Sequence, residues 1–341
     1  MIRRHFLALP LLGFAGCSRR EARVVVYCAQ DQEFAEGLLA DFTRDTGLGV
    51  APKYDTEANK SVSLAAELGR EAGRPRCDVH WNNEVLGTIR LARKGVYAAY
   101  ESPGAAAFPD WTKAPDRSWQ AFAGRARVLV VHTQHVAGAD RPRGIFDLLH
   151  PRFKDRLAIA KPAFGTTATH AACLFDALGP DAAKDFFTRL KGNGVQVVAG
   201  NKQVATGVSE GRFAAGLTDT DDALIEVNAG KPVVVTFPDR DGSTIHPKLG
   251  TLFIPNTLAV VKDGPNADGA RKLVDYLLRP ETERRLAEGG GFQIPLNPGV
   301  VAKLPAGLLT PKDVRPMGVD FDRAADRWEE SQRFLADLFG A

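Results

Sequence analysis

Residues 24–47, VVVYCAQDQEFAEGLLADFTRDTG, decide the fold class. The unbroken apolar run Val24–Cys28 reads as a strand buried on both faces, and such strands belong to parallel sheets covered by helices. Phe34, Leu38, Leu39 and Phe42 then share one helical face, with Asp31 at the N-cap and Gly47 just past the last turn. The pattern recurs. GVAPKYD (49–55) reads as a strand, SVSLAAELGREAG (61–73) as a helix capped by Ser61, CDVHW (77–81) as a strand and NEVLGTIRLARKG (83–95) as a helix. Such alternation predicts an α/β fold.

After the strand ARVLVVHT (126–133) the turn-rich QHVAGADRPRG interrupts the pattern, and α/β alternation resumes from residue 145. Further strands are predicted at VQVVAG (195–200), RFAAGLTD (212–219) and, after KPVVVTFPDRDG (231–242), GTLFIPNTLAVVK (250–262), with helices between them and after them. The chain therefore reads as two α/β lobes that it crosses between at least twice, with a hinged cleft. Residues 23–131 form the first part of lobe 1, 132–237 form lobe 2, and 238–341 form the hinge return and complete lobe 1.

The first 22 residues read as an export signal and linker. MIRRHFLALPLLGFAGC has a basic start and an apolar stretch too short to span a bilayer, and Phe14-Ala15-Gly16-Cys17 ends like a lipobox. Cys17 is the predicted lipidation site, the lipid is the only membrane attachment expected, and Arg3-Arg4 fits a twin-arginine route as well as a Sec route. Residues 1–23 carry five arginines against one glutamate, so the net charge of +3 becomes −1 over residues 24–341. That balance excludes a nucleic-acid surface. Cys28, Cys77 and Cys173 lack zinc spacing, and both one disulfide and three buried thiols stay open.

Catalytic motifs fail on context. GVSEG (207–211) matches a nucleophile elbow, but a helix precedes Ser209 and a strand follows it, the reverse of the required order. His80 alternates with strand residues and reads as packed, and His132 and His135 straddle a strand end. No enzyme is expected. The loops at the strand ends are richer: Gln30 and Asp31, then Asp55, Glu57 and Asn59, then Trp81, Asn82, Asn83 and Glu84. Gly165, Thr166 and Thr167 open a helix that suits an anion, Asn201 and Lys202 follow, and TDTDD (218–222) supplies Asp219, Asp221 and Asp222. These aspartates read either as helix caps or as carboxylates facing the cleft.

The segments VVVYCAQD…LLADFTRDTG, CDVHWNNE, AGRARVLVVHT, LAIAKPAFGT, AGNKQVATGVSEGRFAAGLTDTDDA and IPLNPGVV together resemble the ferric-ion-binding family of periplasmic solute-binding proteins of ABC importers. The resemblance implies a two-lobed, type II-like periplasmic binding protein. It implies a monomer that delivers its solute to an ABC permease and ATPase, in the periplasm or cell envelope. By position, Asp31 stands where the family has a histidine, Asn83 (with Glu84 beside it) where it has a glutamate, and Asp221-Asp222 where it has adjacent tyrosines. Phe164-Gly165-Thr166 and Asn201 match its anion-holding positions. The phenolates of the ferric site are absent. Asp31, Asp221 and Asp222, with Glu57 or Glu84, make an all-oxygen set suited to iron, calcium, magnesium or manganese. The alternative ligand is an amine-bearing organic anion such as an aminophosphonate, held by the carboxylates and by Thr166 and Thr167, with Trp81 as a stacking wall. A metal-dependent enzyme on the same carboxylates is the third reading.

Overall fold

The structure is a computed structural model that describes residues 23–55 and 63–340. In chain order the elements are β1 Val24–Cys28, α1 Gln32–Thr46, β2 Val50–Tyr54, α2 Ser63–Glu71, β3 Val79–Asn82, α3 Val85–Arg93 and β4 Gln120–His132. They continue with β5 Leu157–Ala160, α4 Gly165–Leu178, α5 Pro180–Gly192, β6 Gln196–Val198, α6 Asn201–Ser209, β7 Ala215–Asp219, α7 Thr220–Asn228 and β8 Val233–Thr236. The chain closes with β9 Phe253–Val260, α8 Ala267–Leu277, α9 Pro280–Glu288, α10 Phe321–Asp326 and α11 Trp328–Phe339. The predicted first unit forms as read. Ala35, Leu38, Leu39 and Phe42 line the buried face of α1, and Gly47 ends it in the left-handed region at φ 73°.

The strands make one curled mixed sheet in the order β2-β1-β3-β9-β4-β7-β5-β6, with β8 also paired to β4. Pairing is parallel within β2-β1-β3 and within β7-β5-β6, as the alternation predicts. The joining strands β9 and β4 run antiparallel to their neighbours. β4 is one long strand shared by both lobes. Its first half, Gln120–Ala126, pairs with β9, and its second half, Arg127–Val131, pairs with β7. The sequence places a strand only from residue 126, because the arginine and glycine at 124–125 interrupt the apolar run.

A bulge between Phe122 and Gly124 interrupts the first half of β4, with Ala123 at φ 40°. A non-glycine residue there is strained unless neighbours fix it. The buried Glu283 of α9 does so, accepting N–H groups from Ala123 (2.5 Å), Leu296 (2.9 Å) and Asn297 (2.9 Å).

The first lobe packs Val24, Val26, Phe42, Trp81, Phe122 and Leu273 into one core. In the second, Val128 and Val130 of β4 point to a core with Val204 and Leu224, while Leu129 and Val131 point to one with Ile159, Phe175 and Phe186. This is the period-two alternation of a strand covered on both faces. The C-terminal helices α10 and α11 pack against α4 and, through α10, against α3. Arg93 of α3 pairs with Asp322 (3.1 Å) and Asp326 (2.7 Å), and Arg323 pairs with Asp176 of α4 (2.9 Å). Cys28, Cys77 and Cys173 are buried and form no disulfide among the described residues. Among those residues no helix is long and apolar enough to cross a membrane. Cys17 lies outside the described residues, as do Ser61 and Glu57.

Candidate functional site

The odd-numbered side chains of β4 fall on one face of its sheet, so Arg125 and Arg127 stand in line with Leu129 and Val131. Both arginines are buried, Arg127 completely. A buried guanidinium needs carboxylates and hydrogen-bond acceptors. The end of β7 and the start of α7 supply the carboxylates, while Nε and Nη2 of Arg127 meet no hydrogen-bond partner among the described residues. Arg127 donates from Nη1 to Asp219 (2.7 Å), to Asn201 Oδ1 (2.9 Å) and to Thr166 (3.3 Å). Asp219 also accepts from the Thr166 hydroxyl (2.5 Å) and from Asn201 Nδ2 (3.0 Å). Arg125 donates from Nε to Asp221 (3.1 Å), and from its other nitrogens to Gln30 Oε1 (3.0 Å), Asn256 Oδ1 (3.1 Å) and the Asn83 carbonyl. Burial alone would lower the Arg125 pKa, but Asp221, Asp219 and Asp31 outweigh it and hold the group above its ordinary value.

Of these residues Asn83, Arg125, Thr166, Asn201, Asp219 and Asp221 line a cavity of about 40 Å3 between the lobes. One wall is the cluster at the start of α7. Asp219, Asp221 and Asp222 each place a carboxylate oxygen within 4.8 Å of the others. Asp219 occupies the N-cap position of α7 but makes no side-chain cap bond, while Asp221 accepts the first-turn N–H of Asp222 (3.2 Å). The facing wall is the first turn of α4, where Phe164 provides no side-chain cap and Gly165, Thr166 and Thr167 line the cavity. N–H groups at such an end favour an anion. Asn83 and Asn201 complete the predicted residues found there.

Three predicted residues fall elsewhere. Trp81 is no stacking wall: it lies inside β3, fully buried, with its ring 5.5 Å from that of Phe122. Glu84 is buried as the cap of α3, accepting from Gly87 N–H (2.8 Å), from the Thr169 hydroxyl (2.8 Å) and from Asn82 (3.2 Å). Its carboxyl is pushed up by desolvation, against the pull of those bonds. Asp31, half-buried at the start of α1, does not line the cavity, and its charge acts on Arg125. Sequence reasoning missed Arg125, Arg127 and Lys161, whose ammonium lies over the Phe164 ring at 5.4 Å. Two arginines spaced i, i+2 in a strand buried on both faces were the available signal. Ser209 closes α6 and donates to Glu226 (2.6 Å), so it is no nucleophile elbow.

The profile of the bacterial extracellular solute-binding protein family matches residues 89–314. The major ferric iron-binding protein of Neisseria meningitidis serogroup A is 26% identical over 287 residues, covering 82% of this chain and 83% of its own. A protein of Salmonella paratyphi A named for 2-aminoethylphosphonate binding is 23% identical over 254 residues, covering 72% and 69%. The structure of iron-bound HitA from Pseudomonas aeruginosa superposes with a TM-score of 0.81 at 20% identity, over 93% of this chain and 99% of that one. The likeness shows a shared two-lobed periplasmic binding protein fold.

Proposed function

The chain belongs to the family of bacterial extracellular solute-binding proteins, and on that premise we propose that it captures a hard metal cation, ferric iron foremost, for an ABC importer. The observation that carries this reading is the Asp219, Asp221 and Asp222 trio on the wall of a 40 Å3 cavity. All-oxygen donors suit hard cations. A water needs roughly 10–15 Å3 of such space, so the cavity suits an ion with one or two small oxygen ligands. The uncapped turn of α4 faces the trio and suits an anion taken up with the metal. The ferric and iron-bound relatives support the same cargo. Capture without catalysis, delivery to a permease and its ATPase, a periplasmic or envelope location, a monomer and a lipid on Cys17 complete the proposal.

A second reading rests on the same two walls: an amine on the aspartates and an acid group on α4 fit a small zwitterion such as an aminophosphonate, and the Salmonella relative supports it. Thermal unfolding of chelator-stripped residues 23–341 separates the two. At about 100 times its dissociation constant, a ligand adds about 2.7 kcal/mol of stability. The metal reading expects a shift of several degrees with Fe3+ that Asp222→Ala abolishes. A shift with 2-aminoethylphosphonate and none with any cation would replace it by the second reading.

A further inference from the structure

Both Arg125 and Asp221 line the cavity, and Arg127 does not. The Arg127 guanidinium is closed off from the cavity, and Asp219, which lines it, has both carboxylate oxygens engaged by Arg127, Thr166 and Asn201. The Arg125–Asp221 contact is a single bond from Nε, not a two-pronged fork, and the rest of the guanidinium is spent on Gln30, Asn83 and Asn256. A metal ion on the trio would sit about 2.0–2.6 Å from a carboxylate oxygen, and Asp221 Oδ2 is 3.1 Å from the Arg125 nitrogen. Ion and guanidinium would then be neighbours of like charge in a poorly solvated site, where such repulsion is strong.

We propose that Arg125 is a specificity-determining residue: a built-in cation that shares Asp221 with the cargo and limits how strongly the cleft prefers trivalent over divalent ions. The proposal rests on the metal reading of the site. Repulsion from a fixed positive charge grows in proportion to the charge of the ion, so Arg125 penalises Fe3+ more than Mn2+. Its contacts to Gln30 and Asn83 also tie the first lobe to Asp221 of the second. Losing that tie would weaken both ions alike, so the ratio of their affinities isolates the charge.

The test is competition titration of Fe3+, buffered with nitrilotriacetate, and of Mn2+ on wild type, Arg125→Gln, Arg125→Met and Arg125→Lys. Glutamine keeps hydrogen bonding to Gln30 and Asn256 within reach and guards against a methionine variant that fails to fold. The expected result is a rise of at least tenfold in the Fe3+ over Mn2+ preference in R125Q and R125M, reversed in R125K, which restores the charge. A ratio unchanged from wild type in both neutral variants overturns the role of Arg125 while leaving the metal reading intact. Binding of neither ion by any of the four proteins overturns both.

Discussion

Two arginine–aspartate pairs stand two residues apart on one strand, and their surroundings make them different devices. Arg127 meets only the second lobe, through Asp219, Thr166 and Asn201. Arg125 meets the second lobe at Asp221, the first at Gln30 and Asn83, and the crossing strand β9 at Asn256. The division follows from β4, whose pairing passes from β9 to β7 between Ala126 and Arg127. A charge on one side of that point can hold one lobe together, and a charge on the other can hold two lobes to each other. Identical chemistry therefore supplies local rigidity in one place and a connection across the cleft in the other.

The contrast breaks most visibly on removal of one partner. Arg127→Met leaves Asp219 buried without its cation, and stripping one member of a buried pair costs about 3–5 kcal/mol. The expected outcome is a large fall in melting temperature with no change in the solution radius of gyration, measured by small-angle scattering. Arg125→Met should lose stability on the same scale, with Gln293 still reaching Asp221 (3.4 Å), but should also enlarge the radius of gyration of the solute-free protein. Equal radii for the two variants would erase the distinction between them.

Glu283 tests the strand that sets the pairs apart. Glu283→Ala strips the acceptor from Ala123, Leu296 and Asn297, and one unsatisfied buried donor costs about 1–3 kcal/mol. The variant should melt several degrees lower and exchange the Ala123 amide faster. A wild-type melting point would mean that the bulge holds itself.

The smallest effect concerns pH. Each lobe buries a neutral histidine. Burial holds His80 down to about 3, and His170 is held well below its ordinary range by burial and then by the Arg127 charge. The unfolded chain takes up these protons near the ordinary value of 6.5 and the folded chain does not, so stability falls as pH drops below about 6.5, for His80 down to about 3. Melting curves at pH 7.5, 6 and 5 should show this slope, flattened in both His80→Asn and His170→Asn. A slope unchanged in either variant would place the proton uptake elsewhere.

Much of this was legible in the sequence. Apolar runs and helical faces located the parallel units, because burial on both faces leaves a continuous signal in the residues themselves. The clustering of the carboxylates at 219–222 was legible in the sequence, whereas Asp219, at the cap position, turns out to make no cap bond. Trp81 misleads because CDVHW reads as a strand that ends there, whereas β3 runs on to Asn82 and turns the indole into the core. Glu84 misled for the opposite reason: a carboxylate before a helix can always cap it, and here it does. The arginines stayed hidden because their partners lie some 90 residues away, at Asp219 and Asp221, and no local pattern records which distant carboxylate a buried guanidinium will meet.

The insertion of β9 between β3 and β4 also dictates an order of assembly. Strand β3 pairs with β9 through Val79–Asn82, and β9 pairs with β4 through Gln120–Ala126. The amino-terminal third of the protein therefore cannot complete its own sheet until residues 253–260 have been made. Contacts of such long sequence separation demand costly loop closure and slow the folding of the chain. A fragment ending near residue 237 would present the unpaired edge of β3 to any other chain with a free strand, and the fragment 145–237 carries β5 to β8 but lacks β4 and the helices α10 and α11 that pack on α4. Each half thus waits for late residues, the first for β9 and the second for α10 and α11, so the cleft between them takes shape only when nearly the whole polypeptide is present.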